Sequence, residues 1–181
     1  MIYVFLAEGF EETEALAPVD MLRRAKADVQ TVGITGETVV GSHGIPVKAD
    51  IVPDQMCLDA RLEMIVLPGG MPGTLHEEAS EAVQQAIAYC IKQDRWIGAI
   101  CAAPSILGHL GLLAGKTAVC YPGFEKDLTG AKIGTHGVER DGKIITARGA
   151  GVAVSFGLAL VEAVMGAEVS KKIRASIVLD G

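Results

Sequence analysis

The stretch Arg95-Trp96-Ile97-Gly98-Ala99-Ile100-Cys101-Ala102-Ala103-Pro104-Ser105-Ile106-Leu107 decides how this chain is read. Its first half is a short, mostly apolar run of strand length. Its second half opens an apolar helix at Pro104, and Pro suits a helix start because the first N–H groups have no intrahelical partner. Cys101 therefore stands at a strand-to-helix corner, at the carboxyl edge of a sheet. It also lies near the positive end of a helix dipole, a field expected to favour thiolate over thiol. Gly98, Ala99, Ala102 and Ala103 are small, so the turn can be sharp and a ligand can approach the backbone. The pattern parallels the nucleophile elbow, although Ala replaces the Gly flanks of the formal motif. A single cysteine is more often a small buried hydrophobe; the corner position is what points to chemistry.

Working outward, 181 residues fit one domain, 1–181, with a substantial core. Half the residues are hydrophobic and 21% are charged, a globular composition. No apolar run reaches the roughly 18 residues of a membrane span. The amino-terminal run Met1 to Ala7 has no basic leader and meets Glu8 directly, so no signal peptide and no membrane partner are expected. A net charge of −6 with no basic stripe argues against nucleic-acid binding. Cys57, Cys90, Cys101 and Cys120 show no C-x-x-C spacing, and His43, His76, His109 and His136 are scattered, so no metal site is expected. Scattered cysteines of this kind read as reduced, and a cytoplasmic location is expected.

Tyr3 to Ala7 is a continuously apolar strand, as in a sheet covered on both faces. A helix follows from Glu11 or Glu12 to Ala25, with Ala15, Val19 and Leu22 on one face and Arg23 and Arg24 at its end. Pro18 deprives the Glu14 carbonyl of its helical partner, which predicts a kink beside that acid. Asp28 to Ile34 reads as a strand, Thr38–Val40 and Ile45–Val47 as a hairpin, and Pro53 to Asp59 as a loop. Met64 to Leu67 is a buried strand that runs into Pro68-Gly69-Gly70-Met71-Pro72-Gly73. That loop can turn backbone N–H groups toward a ligand, yet it lacks the dinucleotide and P-loop patterns. A helix over Glu81 to Lys92 precedes the Cys101 stretch. Beyond it, Lys116 to Cys120 reads as a strand and Tyr121-Pro122-Gly123 as a turn. Thr135–Glu139 and Lys143–Thr146 flank the hairpin signal Asp141-Gly142. Arg148 to Gly151 is another small-residue loop, and helices run over Val154–Val164 and Ser170–Val178. The alternation predicts an α/β domain: a mostly parallel sheet, helices on both faces and antiparallel hairpins at the edges. Glu14, Gly69, Gly70, Cys101 and Arg148 all follow strands and can converge on one cleft.

Four stretches resemble the ThiJ/PfpI superfamily, in its DJ-type branch: Ala7 to Glu14 with Pro18-Val19-Asp20, Val66 to Gly70, Ala99 to Pro104, and Thr146 to Gly149. They occur in the family's order and spacing across almost the whole chain. The resemblance implies a single-domain flavodoxin-like (Rossmann-like) sandwich and a homodimer. It implies that Cys101 is the nucleophile and redox-sensitive thiol, and Glu14 the acid that hydrogen-bonds it and serves as general acid/base. Gly69 and Gly70 belong to the substrate-binding loop. Gly70 and Ala102 match positions whose N–H groups face a substrate oxygen. The sequence departs from the family at Tyr121, where many relatives have His; a tyrosine donates a hydrogen bond, which keeps Tyr121 a substrate-binding candidate, but is a poor base near neutral pH. Ala102 stands where the protease-like branch has His, and the amidotransferase elbow wants Gly flanks, so neither activity is favoured.

The expected function is a glyoxalase or deglycase that needs no cofactor and acts on small-molecule aldehydes. The Cys101 thiolate adds to a 2-oxoaldehyde to give a hemithioacetal, and a Glu14 that starts protonated moves a proton between adjacent carbons. The competing reading is a redox sensor or oxidative-stress chaperone in which Cys101 oxidises to sulfinate. The plainest reading leaves Cys101 a reduced structural thiol in a domain of other function.

Overall fold

The computed structural model describes residues 1–179; of the single domain expected over 1–181, the last two residues lie outside the described ones. The elements in order are β1 (Ile2–Leu6), α1 (Glu12–Arg24), β2 (Val29–Gly33), β3 (Thr38–Val40), β4 (Pro46–Lys48), β5 (Met64–Leu67), α2 (Gly73–Ala79), α3 (Glu81–Lys92), β6 (Trp96–Ile100), α4 (Pro104–His109), β7 (Thr117–Ala118), β8 (Lys132–Ile133), β9 (Val138–Asp141), β10 (Ile144–Ala147), α5 (Ala153–Met165) and α6 (Ala167–Ser176). The main sheet has the order β2-β1-β5-β6-β10-β9. All its pairings are parallel except that of β10 with the edge strand β9. The apolar runs of β1, β5, β6 and β10 are buried throughout, as strands covered on both faces must be.

Each face carries its own core. On one side Val19 and Leu22 of α1, Phe156 and Leu160 of α5 and Ile173 of α6 pack against Ile2, Val4, Val66 and Ile100. On the other, Val83 and Ile87 of α3 and Ile106 and Leu107 of α4 cover Tyr3, Phe5, Ile65 and Ile97. Helices α1 and α5 meet closely at Gly157, where an added Cβ would stand 2.9 Å from Met21 Cγ and 3.0 Å from the Pro18 backbone. α1 runs continuously through Pro18 from Glu12 to Arg24. The chain leaves β1 toward β2 on one side and returns to β5 on the other. That reversal lies beside the carboxyl ends of β1, β5 and β6, where open α/β sheets bind ligands.

Three sequence expectations need correction. The β3–β4 hairpin forms a two-stranded sheet of its own rather than an edge of the main sheet. The strand expected over 116–120 is reduced to β7, paired with β8, because the next amides are taken elsewhere. The Val119 N–H donates to the Thr146 hydroxyl at 3.0 Å, and the Tyr121 N–H donates to the Cys101 carbonyl at 2.7 Å. The strand expected from Thr135 begins only at Val138, since the Thr135 and His136 amides bind the Glu139 carboxylate. Helix α2 was not expected at all.

Candidate functional site

Cys101 follows β6 with φ of 64°, the left-handed region that L-residues rarely adopt. Its N–H is held by the Ala147 carbonyl at 2.9 Å and its carbonyl by the Tyr121 N–H, so two neighbouring segments fix the corner. The turned backbone lifts the side chain off the sheet edge and leaves it half-buried. The N–H groups of Gly70 and Ala102 donate to its sulfur. Glu14, in the first turn of α1, is 1% exposed. Its carboxylate accepts the Gly69 N–H at 3.1 Å and the Ala150 N–H, and it hydrogen-bonds the Cys101 thiol. Its own backbone N–H is capped by Glu11 Oε2 at 2.6 Å.

Gly69 fits because it has no side chain: a Cβ there would overlap Glu14 Oε2 and the Cβ of Cys101. Gly70 is at φ 97°, which Gly adopts without steric cost, and a Cβ there would strike the Gly9 to Glu11 backbone. Gly149 lies 3.3 Å from the Tyr121 ring and 3.7 Å from Glu14 Oε1, measured from an added Cβ. The ends of β1, β5, β6 and β10 thus bring Glu14, Gly69, Gly70, Cys101, Ala102, Tyr121 and Gly149 together. Beside them opens a cavity of about 280 Å³ lined by Tyr121, Pro122 and Arg148 to Val152. A larger apolar groove of about 350 Å³ between α3 and Leu110 and Leu112, beyond the end of α4, contains none of these groups.

The electrostatics overturn one expectation. Burial first, then the Glu14 charge and its hydrogen bond, push the Cys101 thiol up to about 12, against the weaker pull of the Ala102 and Gly70 N–H groups. Burial and Glu14 thus oppose the helix field that was expected to favour the thiolate. Burial also raises Glu14, to about 7, opposed by hydrogen bonds from Cys101, Gly69 and Ala150 and aided by the charge of Glu11. The carboxyl is therefore poised near neutrality, as a group that both takes and gives protons needs to be.

Other residues named from the sequence lie elsewhere. Arg24 pairs with Asp20 at 2.8 Å. His43, on the β3–β4 hairpin, binds Glu12 Oε2 through Nδ1 at 2.8 Å. Candidate metal-ligating atoms of Glu11, Glu12 and His43 come within 4.8 Å of one another, a proximity the scattered histidines did not suggest. The Glu12 carboxylate there already receives the His43 and Ile45 amides, the His43 ring and the Ser42 hydroxyl, so the cluster is a clamp between hairpin and helix. One acid was missed. Glu77 of α2 is fully buried, both its carboxyl oxygens lack a protein partner among the described residues, and it feels the charge of Glu14. Burial pushes it well above the usual carboxylate range. No local sequence signal separates the buried Glu77 from the partly exposed Glu78 beside it.

The DJ-1/PfpI family profile matches residues 1–163. The Parkinson disease protein 7 homolog of Danio rerio is 34% identical over 97% of this chain and 95% of its own length. The glutathione-independent glyoxalase DJR-1.2 of Caenorhabditis elegans is 31% identical over 89% of this chain and 86% of its own. The chain spans 41% of the length of Protein DJ-1 homolog B of Arabidopsis thaliana, to which it is 34% identical. Among solved structures, oxidized Toxoplasma gondii DJ-1 superposes with a TM-score of 0.89 at 35% identity, covering 97% of this chain and 96% of the other. With the matching fold, these similarities establish that the chain belongs to the DJ-1/PfpI family.

Proposed function

We propose that this chain is a cofactor-independent enzyme converting small 2-oxoaldehydes, free or as glycation adducts of amines and thiols, into 2-hydroxy acids at Cys101. The observation that carries the proposal is the Glu14 carboxyl hydrogen-bonded to the elbow thiol and poised near neutrality. The relative named as a glutathione-independent glyoxalase supports it. The Cys101 sulfur bonds to the aldehyde carbon while the ionised Glu14 carboxylate takes the thiol proton and returns it to the former carbonyl oxygen, giving a hemithioacetal; from a glycation adduct the sulfur displaces the amine or thiol on that carbon, which leaves with the proton taken from Cys101, and the same hemithioacetal results. Glu14 next removes the hydrogen of that carbon as a proton, forming an enediol, and delivers a proton to the neighbouring carbon. The first carbon is oxidised and the second reduced, so no external oxidant is needed. Water then cleaves the resulting thioester, releasing the hydroxy acid and the thiol. The Gly70 and Ala102 N–H groups, facing the sulfur, stabilise negative charge there as the adduct forms and collapses. Because the free thiol is held up to about 12, Glu14 serves first as base to a neutral thiol rather than as the partner of a preformed thiolate.

Lactate formation from methylglyoxal by the wild type, Cys101→Ser and Glu14→Gln tests this. Turnover by the wild type that both variants lose supports the proposal; equal turnover by Cys101→Ser rejects it. A second reading, redox sensing, is favoured by one contrast: Cys90 and Cys120 are buried and Cys57 is exposed, whereas Cys101 is partly accessible with the Gly70 and Ala102 N–H groups facing its sulfur. Mild peroxide adding oxygen selectively at Cys101, in protein that does not turn over methylglyoxal, would establish it in place of the enzyme.

A further inference from the structure

We propose that Arg148 and Tyr121 form an anion-recognition subsite, so that the favoured substrates are 2-oxoaldehydes carrying a carboxylate at the far end of a short carbon chain. This rests on the enzymatic reading above and names its substrate class. The cavity of about 280 Å³ is walled by Pro122, Ala150, Val152 and the Tyr121 ring, surfaces that suit methylene groups, and Arg148 is the one cation lining it. Gly149, part of the cavity's lining, has its Cβ position 3.7 Å from Glu14 Oε1, so the cavity adjoins the acid of the reacting pair and can take the tail of a substrate whose aldehyde carbon sits on Cys101.

The free state of the two polar groups is what distinguishes them. Arg23, Arg24 and Arg61 are each engaged by a carboxylate. Arg95 donates to the Ala60 carbonyl and Arg140 stacks on Trp96. Arg148 has no ion pair, side-chain hydrogen bond or ring contact among the described residues, although the chain carries a net charge of −6. Its charge reaches Cys120, the residue before Tyr121. The acids of that segment are turned elsewhere: Glu125 accepts the Gly123 N–H at 2.8 Å, and Asp127 lies 3.8 Å from His109. Tyr121 is 51% exposed, and its hydroxyl has no protein partner among the described residues. An unpaired guanidinium and a free phenol beside an apolar groove match an apolar linker that ends in a carboxylate.

A matched set of substrates tests this. 4,5-Dioxopentanoate and 2-oxopentanal share the reacting dicarbonyl and differ in the terminal carboxylate; the first yields 2-hydroxyglutarate. The wild type is expected to prefer the carboxylate by about tenfold or more in kcat/KM, the effect of one charge-assisted hydrogen bond. Arg148→Met should lower that ratio by about tenfold, with partial recovery in Arg148→Lys, and Tyr121→Phe should lower it severalfold. A wild-type ratio near one, or a ratio unmoved in Arg148→Met, overturns the assignment. Binding is read separately so that the two proposals fail differently. 4-Oxopentanoate has the same tail and no aldehyde. It should protect Cys101 from iodoacetamide in the wild type and far less in Arg148→Met, whether or not any aldehyde is turned over. Absence of that protection overturns the subsite; protection without turnover of either dicarbonyl retains the subsite and rejects the enzymatic reading.

Discussion

A thiol pushed up to about 12 beside a carboxyl raised to about 7 makes the order of proton transfers testable. Glu14→Gln removes the base, and loss of a positioned base costs about 10²–10⁴ in rate, so methylglyoxal turnover should fall at least that far while the fold persists. The same variant removes a negative charge that raises the thiol. The pH profile of Cys101 alkylation should therefore move to lower pH. A move to higher pH would mean that neutral Glu14 donates to a thiolate instead. Gly69→Ala places a methyl on Glu14 Oε2 and on the Cβ of Cys101. It should separate the pair, abolish turnover and cost about 1–3 kcal/mol in urea denaturation; wild-type activity in that variant would disprove the close approach. Cys101 and Glu14 were legible in the sequence because a corner cysteine and an acid after the first strand follow from the order of elements. The state of the thiol was not, since a helix field can be read from a sequence and the desolvation of a particular sulfur cannot.

Among the elements, α1 and α3 were legible from period-3.6 apolar patterns, and β5 and β6 from short continuous apolar runs that suit strands buried on both faces. Helix α2 was not, for a physical reason. It turns Leu75 outward at 51% exposure and buries Glu77 completely, the inverse of an amphipathic pattern. The place of the β3–β4 hairpin was also illegible, since a long-range clamp fixes it. Burial pushes Glu12 up, but the His43 ring and the amides of Glu12 itself, His43 and Ile45 outweigh it and hold the carboxyl at about 2. Glu12→Ala should therefore release the hairpin and destabilise the protein by about 1–3 kcal/mol, as for a carboxylate losing charged hydrogen bonds to a partly exposed partner. Amide exchange should rise over 38–48 with little change in β6. Uniform loosening of the sheet would show that the clamp is not local.

For the whole molecule these buried acids set a dependence of stability on pH with a definite sign. Glu14, near 7 in the folded chain against 4.5 for an ordinary glutamate, binds more protons folded than unfolded between those values. Stability is therefore lost as pH rises through that window, by ~3 kcal/mol for a shift of this size. Glu77 acts in the same direction, because burial raises it too. Glu12 acts oppositely. Held at about 2, it contributes stability above pH 4.5 that is lost as pH falls toward 2. The stability maximum is therefore expected near pH 5, with a decline toward pH 8. Glu77→Leu separates the contributions, since it removes a buried carboxyl that has no protein partner among the described residues. It should stabilise the chain at pH 5 by about 1–3 kcal/mol, the cost of an unsatisfied buried polar group. Its advantage should then grow by about 1.4 kcal/mol per pH unit for as long as folded Glu77 keeps its proton. Urea midpoints of the wild type and the variant at pH 5, 6, 7 and 8 measure this. An advantage that stays constant or shrinks with pH would show that Glu77 is ionised in the folded chain and held by a compensating partner.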